Sequence, residues 1–287
     1  MGTLAPIQIP VLGGLGNQMF QAANAIALAH QKHQEPHYID FTGDAREKRD
    51  WQLGCFDIHP SDLSKTAAIG LKARIFLARK IMLIRNRPTF GVFCEENPLQ
   101  YRTDSTEFTA AFGYWQSEAH FNDFRAEIVS TFTFPEIPRN PTLDEIASSE
   151  NSVAVHIRRG DYVHDPVARD FHFVCDLNWY VSAIEQTRKA IPNSHFFLFS
   201  DDKEWAKANF GTFEDCTIVE GTPDDEVWVD MATMSKCNHF IISNSSYSWW
   251  ASYLGKNRDS YALAPKYWFR GQRTEDLGIY QADWNLL

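Results

Sequence analysis

Residues 156–161 read His-Ile-Arg-Arg-Gly-Asp and close the run Val153-Ala154-Val155-His156-Ile157. Two adjacent arginines followed by Gly and an acid are costly in a core and useful where an anion must be held. A guanidinium is a permanently charged planar fork that can grip phosphate oxygens in pairs. The plainer alternative is a surface Arg pair beside a turn glycine. Ser243-Asn244-Ser245-Ser246-Tyr247-Ser248-Trp249-Trp250 follows an apolar run and opens a helix. Hydroxyls and free NH groups at a helix N-terminus attract an anion without any metal. One Ser or Asn suffices as a cap, and this segment carries five, whereas Trp249 and Trp250 read as packing. Phe199-Ser200-Asp201-Asp202 ends another run. Asp201 can accept from ribose hydroxyls or a base amide, and Asp202 reads more readily as the cap of a helix starting at Lys203.

Near the N-terminus, Gly13-Gly14-Leu15-Gly16-Asn17-Gln18 lies between a strand and a helix. Glycines there let the backbone approach a ligand and expose helix NH groups. The spacing is not GxGxxG and no Lys follows, so neither a dinucleotide fingerprint nor a P-loop fits. Asn17 and Gln18 are candidates to donate to a phosphate or sugar; the alternative is a tight turn with Asn17 as the helix cap.

The elements that must position these residues alternate. A strand at 7–12, a helix at 17–33 and a strand at 37–41 open the chain, followed by loop over 42–64. A strand is expected within 108–116 and a helix over 118–130. Pro135, Pro138 and Pro141 mark a linker. Beyond it, strands at 153–157, 195–199, 216–219, 239–243 and 260–264 alternate with helices near 178–191, 202–210, 225–236 and 246–254. Such alternation predicts a parallel sheet covered on both faces. Two α/β domains follow, 1–140 and 141–287.

Composition narrows the function. A net charge of −10 argues against a nucleic-acid partner. Five widely spaced cysteines suggest reduced thiols rather than a disulfide framework. There is no HExxH, no DxD and no metal-type Cys spacing, so no metal site is expected. No run of about 20 apolar residues spans a membrane, and no signal peptide is visible. Residues 65–94 carry seven basic residues and no acid. They form either a solvated helix face or a weak contact with an anionic membrane surface. The expected location is cytoplasmic, free or peripheral at the inner membrane face. Nine Trp and a 14% aromatic share suit both cores and sugar rings. A carbohydrate-binding module without chemistry would use the aromatics and leave the arginine pair and the serine cluster idle.

GGLGNQMFQ at 13–21, GYWQSEAHF at 113–121, HIRRGDY at 156–162, FSDD at 199–202 and SNSSYSWWASYL at 243–254 together resemble the bacterial α-1,2-fucosyltransferases of glycosyltransferase family 11. The resemblance implies a GT-B-type fold of two Rossmann-like domains facing a cleft, with the donor held mainly by the C-terminal one, the N-terminal one on the acceptor side, and acceptor contacts mostly in variable loops such as 42–64 and 163–177. It implies metal-independent, inverting transfer of L-fucose from GDP-β-L-fucose to the 2-hydroxyl of a terminal galactose. An enzyme of the same fold using another nucleotide sugar is the alternative. By the same resemblance Arg158 grips the diphosphate, Arg159 supports the loop and the field, and Ser245, Ser246 and Tyr247 hold the β-phosphate. Gly16 and Asn17 reach the donor from the N-terminal domain. His156 lies near the nucleoside or is a buried structural histidine. Asp161 is the candidate base or else pins the arginine loop; Asp165 and an N-terminal-domain group are the other candidates. Two residues depart from the family pattern: Ala22, where an aromatic residue is common and whose small side chain would widen the cleft near the donor, and Ser252, a replacement for Ala expected to be neutral.

Overall fold

A computed structural model describes residues 6–44, 49–85, 88–95, 107–160, 163, 165–222, 226–257, 259–271 and 278–287. The chain divides into two compact units. One comprises residues up to 133 with 277–279; the other comprises 134–276 with 280–287.

The first unit is built on β1 (Ile7–Val11), α1 (Leu15–Lys32), β2 (Pro36–Asp40), α2 (Lys65–Arg85), β3 (Val92–Cys94), β4 (Ala110–Phe112) and α3 (Arg125–Thr131). Its four strands pair in the order β2-β1-β4-β3, all parallel. The Ala-rich run of α1 combines strong helix propensity with small side chains, and nearly every residue from Leu15 to Ala29 is buried. The helix stops at His33, whose left-handed backbone sends its NH back to the last-turn carbonyls. Ala22 is fully buried in α1, so its small size serves packing within the unit and does not widen an open surface.

Two expectations in this unit are corrected. The strand within 108–116 is only three residues long, because Gly113 and the positive φ of Trp115 (57°) turn the chain away. The helix over 118–130 breaks into two short 3-10 turns, Glu118–His120 and Asn122–Phe124, before α3 begins. Strand β3 had no sequence signal, since three residues are too few to establish a period.

The second unit comprises α4 (Pro141–Ser148), β5 (Asn151–Ile157), α5 (Pro166–Phe171), α6 (Leu177–Ala190), β6 (Ser194–Ser200), α7 (Lys203–Phe210), β7 (Cys216–Ile218), α8 (Val227–Met234), β8 (His239–Ile241), α9 (Ser246–Gly255), β9 (Ala262–Ala264) and β10 (Asn285–Leu286). The Pro-rich stretch is more than a linker. Asn140 caps α4 by accepting from Leu143 N at 3.0 Å, and Pro141 takes the first helical position, where a missing NH costs nothing. The six strands pair in the order β10-β9-β8-β5-β6-β7, parallel throughout. β5 is buried from Ser152 to Ile157, as a central parallel strand covered on both faces must be. Val153, Val155, Ile157, Phe196, Leu198 and Ile241 of the sheet pack with Tyr180 and Ile184 of α6.

This order is that of a doubly wound nucleotide-binding sheet, in which the chain reverses direction across the sheet between the first strand and the fourth. Here that point falls between β5 and β8. Both units are therefore Rossmann-like α/β layers.

Trp249 and Trp250 are fully buried, and Trp249 stacks on Tyr253 with centroids 4.9 Å apart. Ser252 beside them is also fully buried, and its hydroxyl has no hydrogen-bond partner among the described residues. It is not neutral, because a buried hydroxyl without a partner carries a desolvation penalty. Replacing Ser252 by Ala is expected to stabilise the protein by about 1 kcal/mol, read as a higher urea midpoint at unchanged slope.

Candidate functional site

The register of β5 against β6 decides the neighbours of the two arginines. Ile157 lies opposite Ser200, so the next residues, Arg158 and Arg159, emerge beside Asp201 and Asp202. Arg158 Nη1 meets Asp201 Oδ2 at 2.7 Å, and Arg159 NH donates to Asp201 Oδ1 at 2.8 Å. Arg159 Nε lies 3.2 Å from Asp202 Oδ2, and its guanidinium sits over the Trp205 ring at 4.1 Å. Asp202 also caps α7 by accepting from Trp205 NH at 3.1 Å. Beneath the loop, the buried Tyr180 hydroxyl accepts from Arg158 NH at 3.3 Å.

The two arginines thus do different things. Arg159 is clamped between a carboxylate and an indole. Arg158 reaches the Asp201 carboxylate with its tip, and both side chains of that pair keep about a quarter of their surface exposed. Asp201, read from sequence as an acceptor for sugar or base groups, here spends both oxygens on the arginine loop. Gly160 makes that approach possible, since a Cβ there would sit 2.8 Å from Asp201 Oδ2.

On the other flank of β5, β8 delivers the serine-rich segment. Its residues have separate tasks. Ser243 Oγ pairs with His156 Nδ1 at 2.8 Å. Asn244 Nδ2 donates to the carbonyls of Phe173 (2.6 Å) and Trp268 (2.8 Å), tying two distant loops together. Ser245 is the N-cap of α9, accepting from Tyr247 NH at 3.3 Å. Ser248 turns inward and donates to the Ser245 carbonyl. The Tyr247 hydroxyl donates to the Val227 carbonyl. Ser246, half-buried in the first turn of α9, has a hydroxyl without a partner among the described residues. Arg158, Ser246 and the first-turn NH groups of α9 therefore belong to the ends of neighbouring strands, and the helix end attracts negative charge.

His156 lies between them, buried, with its ring centroid 5.6 Å from that of Tyr247. Burial, reinforced by the Arg158 charge, lowers its pKa to about 3. The imidazole is neutral across the physiological range.

Asp161 and Tyr162 lie outside the described residues. Asp165 is exposed and starts the turn into α5 through its carbonyl, which accepts from Arg169 NH.

In the first unit the glycine loop is shaped by Gly13, whose φ of 82° excludes other residues and where a Cβ would lie 2.9 Å from Asn17 Nδ2. The cap of α1 is Gly14, without a side-chain bond, so Asn17 is not the cap. Asn17 Oδ1 instead accepts from Gln116 Nε2 at 2.6 Å. Gln18 is fully buried: it donates to the carbonyls of Gly13 and Asp50 and accepts from Gln52 NH. Its amide is engaged in holding loops and has nothing left for a phosphate. Gly16 is buried in the first turn of α1.

Sequence reasoning missed Glu95. Its Oε2 accepts from the backbone NH groups of Tyr114 (2.6 Å) and Trp115 (2.9 Å), and so holds the GYWQ turn that presents Gln116 to Asn17. Burial raises its pKa, against the pull of those two NH groups. The available signal was an acid directly after the short apolar run Val92–Cys94.

Among the described residues, no group of three or more His, Cys, Asp or Glu could hold a metal ion, and all five cysteines are free thiols.

Two outcomes follow from this geometry. Gly160→Ala should destabilise by about 1–3 kcal/mol through overpacking in urea unfolding. In an Asp201→Ala background the same change should cost markedly less, because the clashing oxygen is gone. For His156, an ordinary imidazole in the unfolded chain titrates near 6.5 while the native one stays neutral to about 3. The unfolded state alone therefore takes up the proton below pH 6.5, and stability falls with pH by at most about 1.4 kcal/mol per unit. The stability gap between wild type and His156→Asn should accordingly narrow by roughly 2 kcal/mol between pH 7 and pH 5.

The sequence model of Glycosyl transferase family 11 matches residues 100–287. An α-1,2-colitosyltransferase of Escherichia coli is 31% identical over 289 residues, covering 95% of each chain. The O-antigen biosynthesis glycosyltransferase WbnK of Escherichia coli is 29% identical, covering 92% of this chain and 95% of that one. Galactoside alpha-(1,2)-fucosyltransferase 2 of Pongo pygmaeus is 28% identical over 54% of this chain and 48% of its own. Among solved structures, a mutant of Arabidopsis thaliana FUT1 in complex with GDP superposes with a TM-score of 0.53 at 12% identity, covering 92% of this chain and 71% of that one. The two Rossmann-like units are thus of the GT-B type, and the chain belongs to glycosyltransferase family 11.

Proposed function

We propose that this glycosyltransferase moves L-fucose from GDP-β-L-fucose to the 2-hydroxyl of a terminal galactose, with inversion and without a metal. The observation that carries the reading is the pairing of Arg158 with the α9 N-terminus at the ends of adjacent strands, where a doubly wound sheet receives its nucleotide. As the bond from the anomeric carbon to the diphosphate stretches, positive charge grows on the sugar ring and negative charge on the departing GDP. Arg158 exchanges Asp201 for diphosphate oxygens, while Ser245, Ser246 and the first-turn NH groups of α9 face the β-phosphate. These fixed charges and dipoles favour the developing anion. Arg159 and Asp201 keep the loop in place, and His156, neutral and tethered to Ser243, borders the nucleoside. The attacking hydroxyl passes its proton to Asp161. Turnover unchanged in Asp161→Asn would remove that last role.

A galactose-ended acceptor is supported by the names of the galactoside relatives. A second donor is favoured by one specific comparison: the colitosyltransferase matches over nearly the full chain, and colitose is a deoxy relative of fucose. Competition between GDP-fucose and GDP-colitose separates the two readings.

α2 supports a peripheral location. Leu71, Ile75 and Ala78 are buried against the first unit's sheet, whereas Ile69, Phe76 and Leu77 are exposed among Lys65, Lys72, Arg79 and Lys80. Large apolar side chains interleaved with cations suit an anionic bilayer surface. No helix among the described residues is long and apolar enough to cross a membrane.

GDP release from GDP-fucose, with lactose and EDTA present, tests the reaction. It is expected to continue without metal and to drop about 10²–10³-fold in Arg158→Ala, the loss typical of one preorganised donor. Complete inhibition by EDTA, relieved by added Mg²⁺, would overturn the metal-independent reading. Co-sedimentation with vesicles containing phosphatidylglycerol, weakened in Phe76→Ser and by high salt, is the expected sign of the α2 contact. Equal binding to neutral vesicles would speak against it.

A further inference from the structure

Two three-residue segments of the second unit are composed entirely of aromatic residues: Phe171-His172-Phe173 and Tyr267-Trp268-Phe269. They run antiparallel through the His172–Phe269 bridge, with Arg270 NH donating to the Phe171 carbonyl at 3.0 Å and Phe173 NH to the Trp268 carbonyl at 3.4 Å. Trp268 is buried and packs edge-on against Tyr280. The other rings do not sink with it. Phe171 and Tyr267 remain about half exposed, at 54% and 49%.

Between the segments lies a recess of about 320 Å³ lined by Phe173, Val174, Tyr267, Phe269, Arg270 and Gly271. That size is at the small end of ligand pockets, which are mostly apolar and aromatic with a few polar groups. The recess is fixed to the nucleotide end of the sheet. Asn244, directly before the cap of α9, donates to the carbonyls of both Phe173 and Trp268.

We infer that this recess is the subsite for a pyranose ring of the acceptor. The inference rests on the glycosyl-transfer reading above and adds to it the site that receives the sugar. A pyranose offers an apolar C–H face to aromatic rings and hydroxyls at its rim. Tyr267 and Phe173, with centroids 5.8 Å apart and planes tilted by 47°, form an angled aromatic wall. Arg270, whose Nε donates to the His172 carbonyl, presents its remaining donors to hydroxyl oxygens. A guanine base would stack equally well, but its N1–H and amino group require acceptors. Among the described residues, the side chains lining the recess include no carboxylate or amide to supply them. The aromatic content selects a ring, and the donor-rich rim selects a hydroxylated one.

Saturation-transfer NMR tests the subsite, using lactose and galactosyl-β1,3-N-acetylgalactosamine as probes on full-length protein saturated with GDP. Wild type and Tyr267→Phe, which keeps the ring, are expected to bind at least one of the two galactosides. Tyr267→Ala should bind it at least tenfold more weakly, with GDP affinity unchanged. Because Tyr267 is half exposed, its replacement leaves the core intact, and a thermal melt checks this directly. Neither probe binding wild type, or wild-type affinity in Tyr267→Ala, would overturn the assignment. A matching loss of GDP affinity would also overturn it, by putting the nucleoside in the recess. Transfer assays on the same proteins keep the two readings apart. Undiminished transfer to lactose in Tyr267→Ala leaves the transferase and removes the subsite. Tyr267-dependent binding without any transfer leaves the subsite and removes the reaction.

Discussion

Two cations on consecutive residues at the end of a buried strand repel each other, and the second unit is organised around resolving that repulsion. The adjacent strand ends in two consecutive anions, and the parallel register sets Arg158 and Arg159 beside Asp201 and Asp202. The four charges balance locally, so an arginine loop can persist at the sheet edge without a ligand. The balance is uneven by design of the contacts. Arg159 has a carboxylate and an indole, and Asp202 is further committed to capping α7. Arg158 meets the Asp201 carboxylate with its tip and remains partly open to solvent, where an incoming anion can compete for it.

The same economy of groups runs through the serine segment. A stretch of five hydroxyl or amide residues looks from sequence like a uniform anion cradle. In the fold most of them are occupied: Ser243 with His156, Asn244 with two carbonyls, Ser245 as a cap and Ser248 turned inward. These bonds make the α9 N-terminus rigid, and rigidity is what gives fixed dipoles their value to a reaction in which charge develops. The buried neutral His156 belongs to that scaffold. It joins β5 to the helix end through Ser243 and Tyr247 without adding a third positive charge to the two arginines.

In the first unit, rigidity is reached by amide and carboxylate groups that sequence patterns do not announce. Gln18 cross-links three backbone groups, and Glu95 holds a strained turn in place. Gln18 points inward, which is tolerated because both ends of its amide are bonded. The glycine loop and the GYWQ turn then meet through Asn17 and Gln116.

The sequence by itself determined the α/β class, the strand–helix alternation after residue 150, the cationic character of the β5 end, the capping role of Asp202 and the packing role of the two tryptophans. All of these are local. They depend on periods of two or 3.6 residues and on residue types within one turn. Tertiary structure alone decided that Asp201 neutralises the arginines, that Gln18 faces inward, that Ser252 is an unpartnered buried hydroxyl, and that the strand at 108–116 shrinks to three residues. It also joined the aromatic triplets at 171–173 and 267–269 into one recess. Each of these depends on which strand lies beside which and in what register, across separations of up to almost 100 residues. Register is set by the summed packing of whole faces, a quantity that no short window of sequence contains.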